Sequence, residues 1–237
     1  MIRFPMGLLP PAKHQWRAAG TALSGGQPIS GAPQTADAGA GGWWVYSHQI
    51  GILKTHPQLG TWRAIIGHLR SGKRLIEIPV IDALKPLPPE GWPGPVDFGD
   101  GSTFSDGSTW RSDPTEAFLA APGYMPASPA PPAPPSQAQI QLVAGASLNG
   151  WEYFSVIGPG GRVRLHLIDR VLDVAGDVFT VGFSPPFRED MPAGTPVDFS
   201  RPRCTMKAEL GSLKGAWPEM EVPFTAKPTI TFEEAAF

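Results

Sequence analysis

The stretch Arg162-Val163-Arg164-Leu165-His166-Leu167-Ile168 alternates polar or charged side chains with aliphatic ones at a period of two. That period is the mark of a strand with one buried and one wet face, since successive side chains leave a strand on opposite sides. On this reading the aliphatic residues face a core and the charges face water. His166 is then an outward-facing polar residue rather than a catalytic base. The flanking chain repeats the pattern. Gln139-Ile140-Gln141-Leu142-Val143 lies before it, and Val178-Phe179-Thr180-Val181-Gly182-Phe183 and Pro196-Val197-Asp198-Phe199 lie after it, separated by Gly, Pro and Asp turns. Short strands at this spacing predict a small barrel or sandwich, OB-like in its rhythm, over 138–200.

Outward from that region the chain changes character. From 86 to 137 regular structure is hard to find. Five prolines fall between Pro86 and Pro95, and the run Pro126-Ala127-Ser128-Pro129-Ala130-Pro131-Pro132-Ala133-Pro134-Pro135 reads as an extended arm or linker. Between them Asp100-Gly101-Ser102-Thr103-Phe104-Ser105 is echoed by Asp106-Gly107-Ser108-Thr109-Trp110. Asp-Gly steps favour tight turns, so this repeat predicts two turns presenting Phe104 and Trp110. It lacks the alternating oxygen ligands and closing Glu of an EF-hand calcium loop.

The amino-terminal part predicts strands around a single helix. Ala18 to Gly42, rich in Gly, Ala, Ser, Thr and Pro, reads as strands or loops of low packing content. Trp43-Trp44-Val45-Tyr46 opens a strand running to Ile52. Leu59, Trp62, Ile66 and Leu69 then form one apolar helical stripe. Thr55 is placed to cap it, Pro57 suits its first turn, and Gly72 its end. Leu75 to Ile81 reads as a strand that Pro79 would confine to an edge or a bulge. Cys204 to Leu210 and Thr229-Ile230-Thr231-Phe232 are further strand candidates near the end of the chain.

Composition supports a β-rich protein. The 237 residues include 28 Gly and 29 Pro, with 17% charged and 41% hydrophobic residues. Turns are therefore many and long helices few. A formal net charge of −2 offers no bulk attraction to nucleic acid or to an anionic membrane. No apolar run is long enough for a membrane span or a secretory leader. The single Cys204 forbids an intrachain disulfide, which suits folding in a reducing cytoplasm, and reads as a small core residue.

Motifs that could carry chemistry fail on spacing or context. Leu23-Ser24-Gly25-Gly26-Gln27 matches the ABC-transporter ATPase signature letter for letter. Gly67-His68-Leu69-Arg70-Ser71-Gly72-Lys73-Arg74 nearly matches a P-loop, but Arg74 replaces the hydroxyl that would bind Mg²⁺. The second motif also closes a helix, whereas a P-loop opens one, and the two occur in the reverse of the ABC order. The five histidines form no zinc-type pair with a Glu, and no Gly-x-Ser-x-Gly elbow occurs. Glu189-Asp190 and Glu233-Glu234 read as solvated charge. The sequence thus predicts neither an enzyme nor a resident cofactor or metal. The eight tryptophans admit three uses: core packing, stacking platforms of a carbohydrate-binding module, or anchors of an oligomer interface.

The order of these segments resembles the distal tail proteins of siphophages and related tail machines. The resemblance is carried by Ser24-Gly25-Gly26-Gln27-Pro28-Ile29-Ser30-Gly31 before Gly42-Trp43-Trp44, and by the helix Leu59 to Leu69 with its Gly72 strand entry. At the far end it is carried by Phe183-Ser184-Pro185-Pro186-Phe187-Arg188, Arg201-Pro202-Arg203-Cys204-Thr205-Met206 and Thr229-Ile230-Thr231-Phe232-Glu233-Glu234-Ala235. It implies a mainly β protein whose β-sandwich-like ring domain, with one helix, is built from 1–85 and 201–237. A Pro/Gly-rich arm (86–137) and a small OB-like β-barrel (138–200) would be inserted within it. It further implies a homo-hexameric ring at a virion's tail tip, folded in the host bacterial cytoplasm. That ring would contact the tail tube protein, the hub or baseplate protein and the tape-measure protein. It would neither recognise nucleic-acid sequence nor insert into a membrane. Trp43, Trp44, Phe104, Trp110 and Phe232 are the expected subunit-interface residues. The alternative expectation is a host-recognition module that binds carbohydrate through exposed Trp.

Overall fold

The computed structural model describes residues 1–20, 22–24, 35–37, 42–70, 72–81, 123–124, 136–142, 146–199, 201–209, 211–216 and 227–235. The protein is mainly β. In chain order the elements are β1 (Ile2–Arg3), β2 (Pro11–Ala19), β3 (Ala22–Ser24), β4 (Thr35–Asp37), β5 (Trp43–Ile50), α1 (His56–Leu69) and β6 (Leu75–Pro79). There follow β7 (Gly123–Tyr124), β8 (Gln137–Gln141), β9 (Tyr153–Ile157), β10 (Val163–Ala175), β11 (Val178–Ser184) and β12 (Pro196–Asp198). The chain ends with β13 (Arg203–Ala208), α2 (Ser212–Gly215) and β14 (Thr229–Glu234).

These strands make a six-stranded sheet in the order β1-β6-β13-β14-β5-β2, a closed barrel in the order β10-β11-β8-β7-β12-β9, and a small β3–β4 pair. The large sheet draws its strands from both ends of the chain, and the barrel takes its strands from the middle. The barrel includes β7, from within the segment read as an arm. The Asp-Gly repeat and the proline run lie outside the described residues.

One face of the sheet carries Tyr46, Ile50, Ile76, Ile78, Cys204, Met206, Ile230 and Phe232, all buried. Helix α1 covers it with Trp62, Ile65, Ile66 and Leu69. Its amino terminus is closed as the sequence predicts. Thr55 Oγ1 accepts from Gln58 N at 3.3 Å, and Gln58 Oε1 accepts from Thr55 N at 3.3 Å, a reciprocal capping box. The Trp62 indole donates to Ala216 O at 2.8 Å and so ties the helix to the end of α2. Gly67 to Arg70 end this helix, so the P-loop-like letters have the context of a helix terminus.

Three differences from the sequence reading have physical causes. Strand β2 was not legible because it lies at an edge and is exposed along most of its length, which leaves no alternation. Strand β9 was missed for the opposite reason: its centre, Phe154-Ser155-Val156, is buried on both faces. Strand β6 is not an edge strand, since β1 and β13 flank it. Pro79 is tolerated because it ends the strand, beyond the two residues, Ile76 and Glu77, that pair with β1.

Candidate functional site

Among the described residues, side-chain hydrogen bonds and an ion pair converge at the seam where the barrel meets the sheet. Strand β10 begins there, and Leu165 leaves the barrel to join the sheet's own core, with Tyr153 and Leu167 packed beside it. Backbone groups cross the seam as well. The Trp44 indole donates to Leu165 O at 2.8 Å, Val163 N donates to Thr205 Oγ1 at 3.1 Å, and Arg188 donates to Gly42 O at 2.8 Å.

At the centre of the seam lies a buried ion pair. Arg164 donates to Glu234 Oε1 at 2.9 Å, and both side chains are only 4% exposed. The second oxygen, Oε2 of Glu234, accepts from Trp44 N at 3.1 Å, so one carboxylate from the last strand holds both the barrel and β5. Arg164 also approaches Glu189 Oε1 at 3.5 Å, and Glu189 Oε2 accepts from Gly160 N in the turn between β9 and β10. A buried charge of either sign needs such partners, because desolvation without them costs several kcal/mol. The arrangement bonds the barrel to the sheet at one buried point.

This geometry corrects the alternation-based reading of Arg164 and His166 as outward-facing and the reading of Glu234 as solvated charge near the chain's end. All three are buried, not solvated. Alternation fails because β10 has no wet face at this point: one side meets the barrel interior and the other meets the sheet. His166 lies among Phe154, Phe183 and Phe187, with ring centroids 5.1, 5.1 and 4.8 Å away. Its Nδ1–H donates to Pro185 O at 2.6 Å, since a carbonyl can only accept. Burial lowers its pKa to about 4, and nearby Arg164 and Arg188 act in the same direction while the Pro185 bond opposes them. On the helix side of the sheet, His48 bonds Tyr46 Oη through Nδ1 at 2.9 Å. Burial, then the positive charge of His14, lowers its pKa to about 4, with the Leu9 backbone opposing. Cys204 is buried, as its composition suggested, and burial pushes its thiol well up, away from the reactive thiolate.

The interface residues expected from sequence divide three ways. Trp44 and Phe232 are core residues: Trp44 is 3% and Phe232 0% exposed, so neither can present its ring to a neighbour. Trp43 is half-buried at the start of β5. Phe104 and Trp110 lie outside the described residues. Among the described residues, no three His, Cys, Asp or Glu side chains converge as a metal site requires. Among them, too, no helix is long and apolar enough to cross a membrane.

No protein-family model matches the chain, and no curated protein matches it.

Proposed function

We propose that this chain is a non-enzymatic structural component of a phage-like tail tip. In this reading six copies close a ring that joins the tail tube to the hub or baseplate. The observation that carries the reading is the discontinuous sheet, built from residues before 80 and after 202, with a barrel inserted between and locked to it by the Arg164–Glu234 seam. That is the plan implied by the resemblance of the chain's segments to distal tail proteins. A ring component passes load between a tube above and a hub below, and a buried, hydrogen-bonded seam holds its two layers in one orientation.

A second feature favours self-assembly. Strand β2 gives the sheet a nine-residue edge with no further strand beyond it among the described residues, while the opposite edge is the two-residue β1. Unlike edges on one sheet allow head-to-tail contacts, and these close into rings when the rotation permits. Tail tube, hub and tape-measure proteins are the partners of this reading, and the virion tail tip is its location. Light scattering on the size-fractionated protein tests it, alone and with its co-expressed tail neighbours. A six-chain particle in either preparation is expected, and a single-chain mass in both overturns the proposal.

A further inference from the structure

The chain contains one asparagine, Asn149, and Gly150 follows it. Asparagine is a labile side chain, and a following glycine makes it most so. The Gly150 nitrogen, hindered by no β-carbon, can attack the Asn149 side-chain carbonyl carbon. A C–N bond then forms, the side-chain amide leaves as ammonia with the Gly150 proton, and a succinimide remains. Water opens that ring to aspartate or isoaspartate. Asn149 is exposed and Trp151 is 52% exposed, so water reaches this bend. Neither bulk beside the nitrogen nor burial of the amide protects the site.

The backbone hydrogen bonds do protect it. The Glu152 side chain is fully buried, and its carboxylate accepts from Asn149 N at 2.7 Å, Gly150 N at 2.9 Å and Trp151 N at 3.1 Å. The attacking nitrogen therefore has its N–H committed to a carboxylate, and two effects oppose the reaction. Glu152 Oε2 already stands on the side of the nitrogen from which the Asn149 carbon would have to be met. A negative charge at that distance also disfavours loss of the proton from nitrogen. The bend is held in place as well. Gly150, at φ +97°, would bring a β-carbon 3.6 Å from Arg170 Cα, and Ile168 N donates to Glu152 O at 3.0 Å. An Asn-Gly pair also favours turns, which accounts for the positive φ of Gly150. A turn by itself needs no buried carboxylate, whereas guarding the nitrogen does.

We infer that Asn149 is a latent deamidation site that the Glu152 carboxylate keeps closed, and that opening of the bend marks the chain irreversibly. Either product adds a carboxylate close to Glu152, and isoaspartate also lengthens the main chain. The amides of Asn149, Gly150 and Trp151 then no longer converge on Glu152, and the bend does not reclose. The inference does not rest on the ring reading, since the site is complete within one chain. Incubation of the whole protein in mildly alkaline buffer, followed by peptide mapping with mass spectrometry, tests it, and with one asparagine the assignment is direct. The folded parent should lose the amide at least about tenfold more slowly than the same chain in guanidinium chloride. In the folded state Glu152→Gln, neutral and nearly isosteric, should speed the loss several-fold, and Glu152→Ala about tenfold or more, as removal of charge-assisted hydrogen bonds predicts. Circular dichroism establishes the fold of each variant; should Glu152→Ala not fold, Glu152→Gln and the ratio of folded to denatured parent decide. Equal rates in folded and denatured parent overturn the inference, as does a folded Glu152→Gln that loses its amide no faster than the parent.

Discussion

Replacing Glu234 by Gln isolates the charge at the seam. The amide keeps an oxygen for Trp44 N and nearly the same shape, so what is lost is the carboxylate facing Arg164. Breaking a buried pair by removing one partner costs about 3–5 kcal/mol where the remaining charge is left alone. Here Arg164 retains Glu189 at 3.5 Å, a partner whose side chain is 31% exposed and so partly screened. The expected loss is therefore smaller, about 2–3 kcal/mol, and for a chain of this size about 4–12 °C in Tm. Urea unfolding followed by tryptophan fluorescence measures it, with Trp44 reporting from the seam itself. Arg164→Met combined with Glu234→Gln closes a double-mutant cycle, with an expected coupling of about 2 kcal/mol. Because the pair is buried, the loss should persist at high salt. A loss under about 1 kcal/mol, the range of exposed pairs, would refute the claim that this contact holds the two layers together.

Acid should weaken the fold through His48 and His166. Both pKa values are lowered on folding, from 6.5 to about 4. Their contribution is thus complete above pH 6.5 and is lost as pH falls towards 4, by about 3 kcal/mol for each histidine. Chemical denaturation between pH 7 and 4 checks this, and His166→Phe should flatten the slope. Thr55→Ala removes the capping-box oxygen and should cost about 1 kcal/mol in the same assay. Gly42→Ala should be far worse than a surface change, by about 2 kcal/mol or more. Gly42 has φ +88°, and a β-carbon there would lie 2.5 Å from Ala19 O; thermal unfolding reads the effect.

The sequence by itself determined the class of the fold and its local pieces. The stripe Leu59, Trp62, Ile66 and Leu69, the Thr55 cap and the β-patterned segments from 139 onward were legible because helix and strand periods are local properties of a half-buried element. They fail where burial is not one-sided. Strand β2 is exposed nearly throughout and β9 is buried on both faces, so neither leaves a period to read. The seam was hidden for the same reason. Arg164 and His166 fall on the polar beat of an alternating strand, and Glu234 lies in the last strand, 70 residues further along the chain from Arg164. Only the tertiary structure brings barrel and sheet together, and it turns residues that look solvated into a desolvated, hydrogen-bonded pair. The same holds for the aromatics. Composition counts eight tryptophans, but packing alone decides that Trp44 closes a core while Trp151, held by a buried carboxylate one residue away, stands in water.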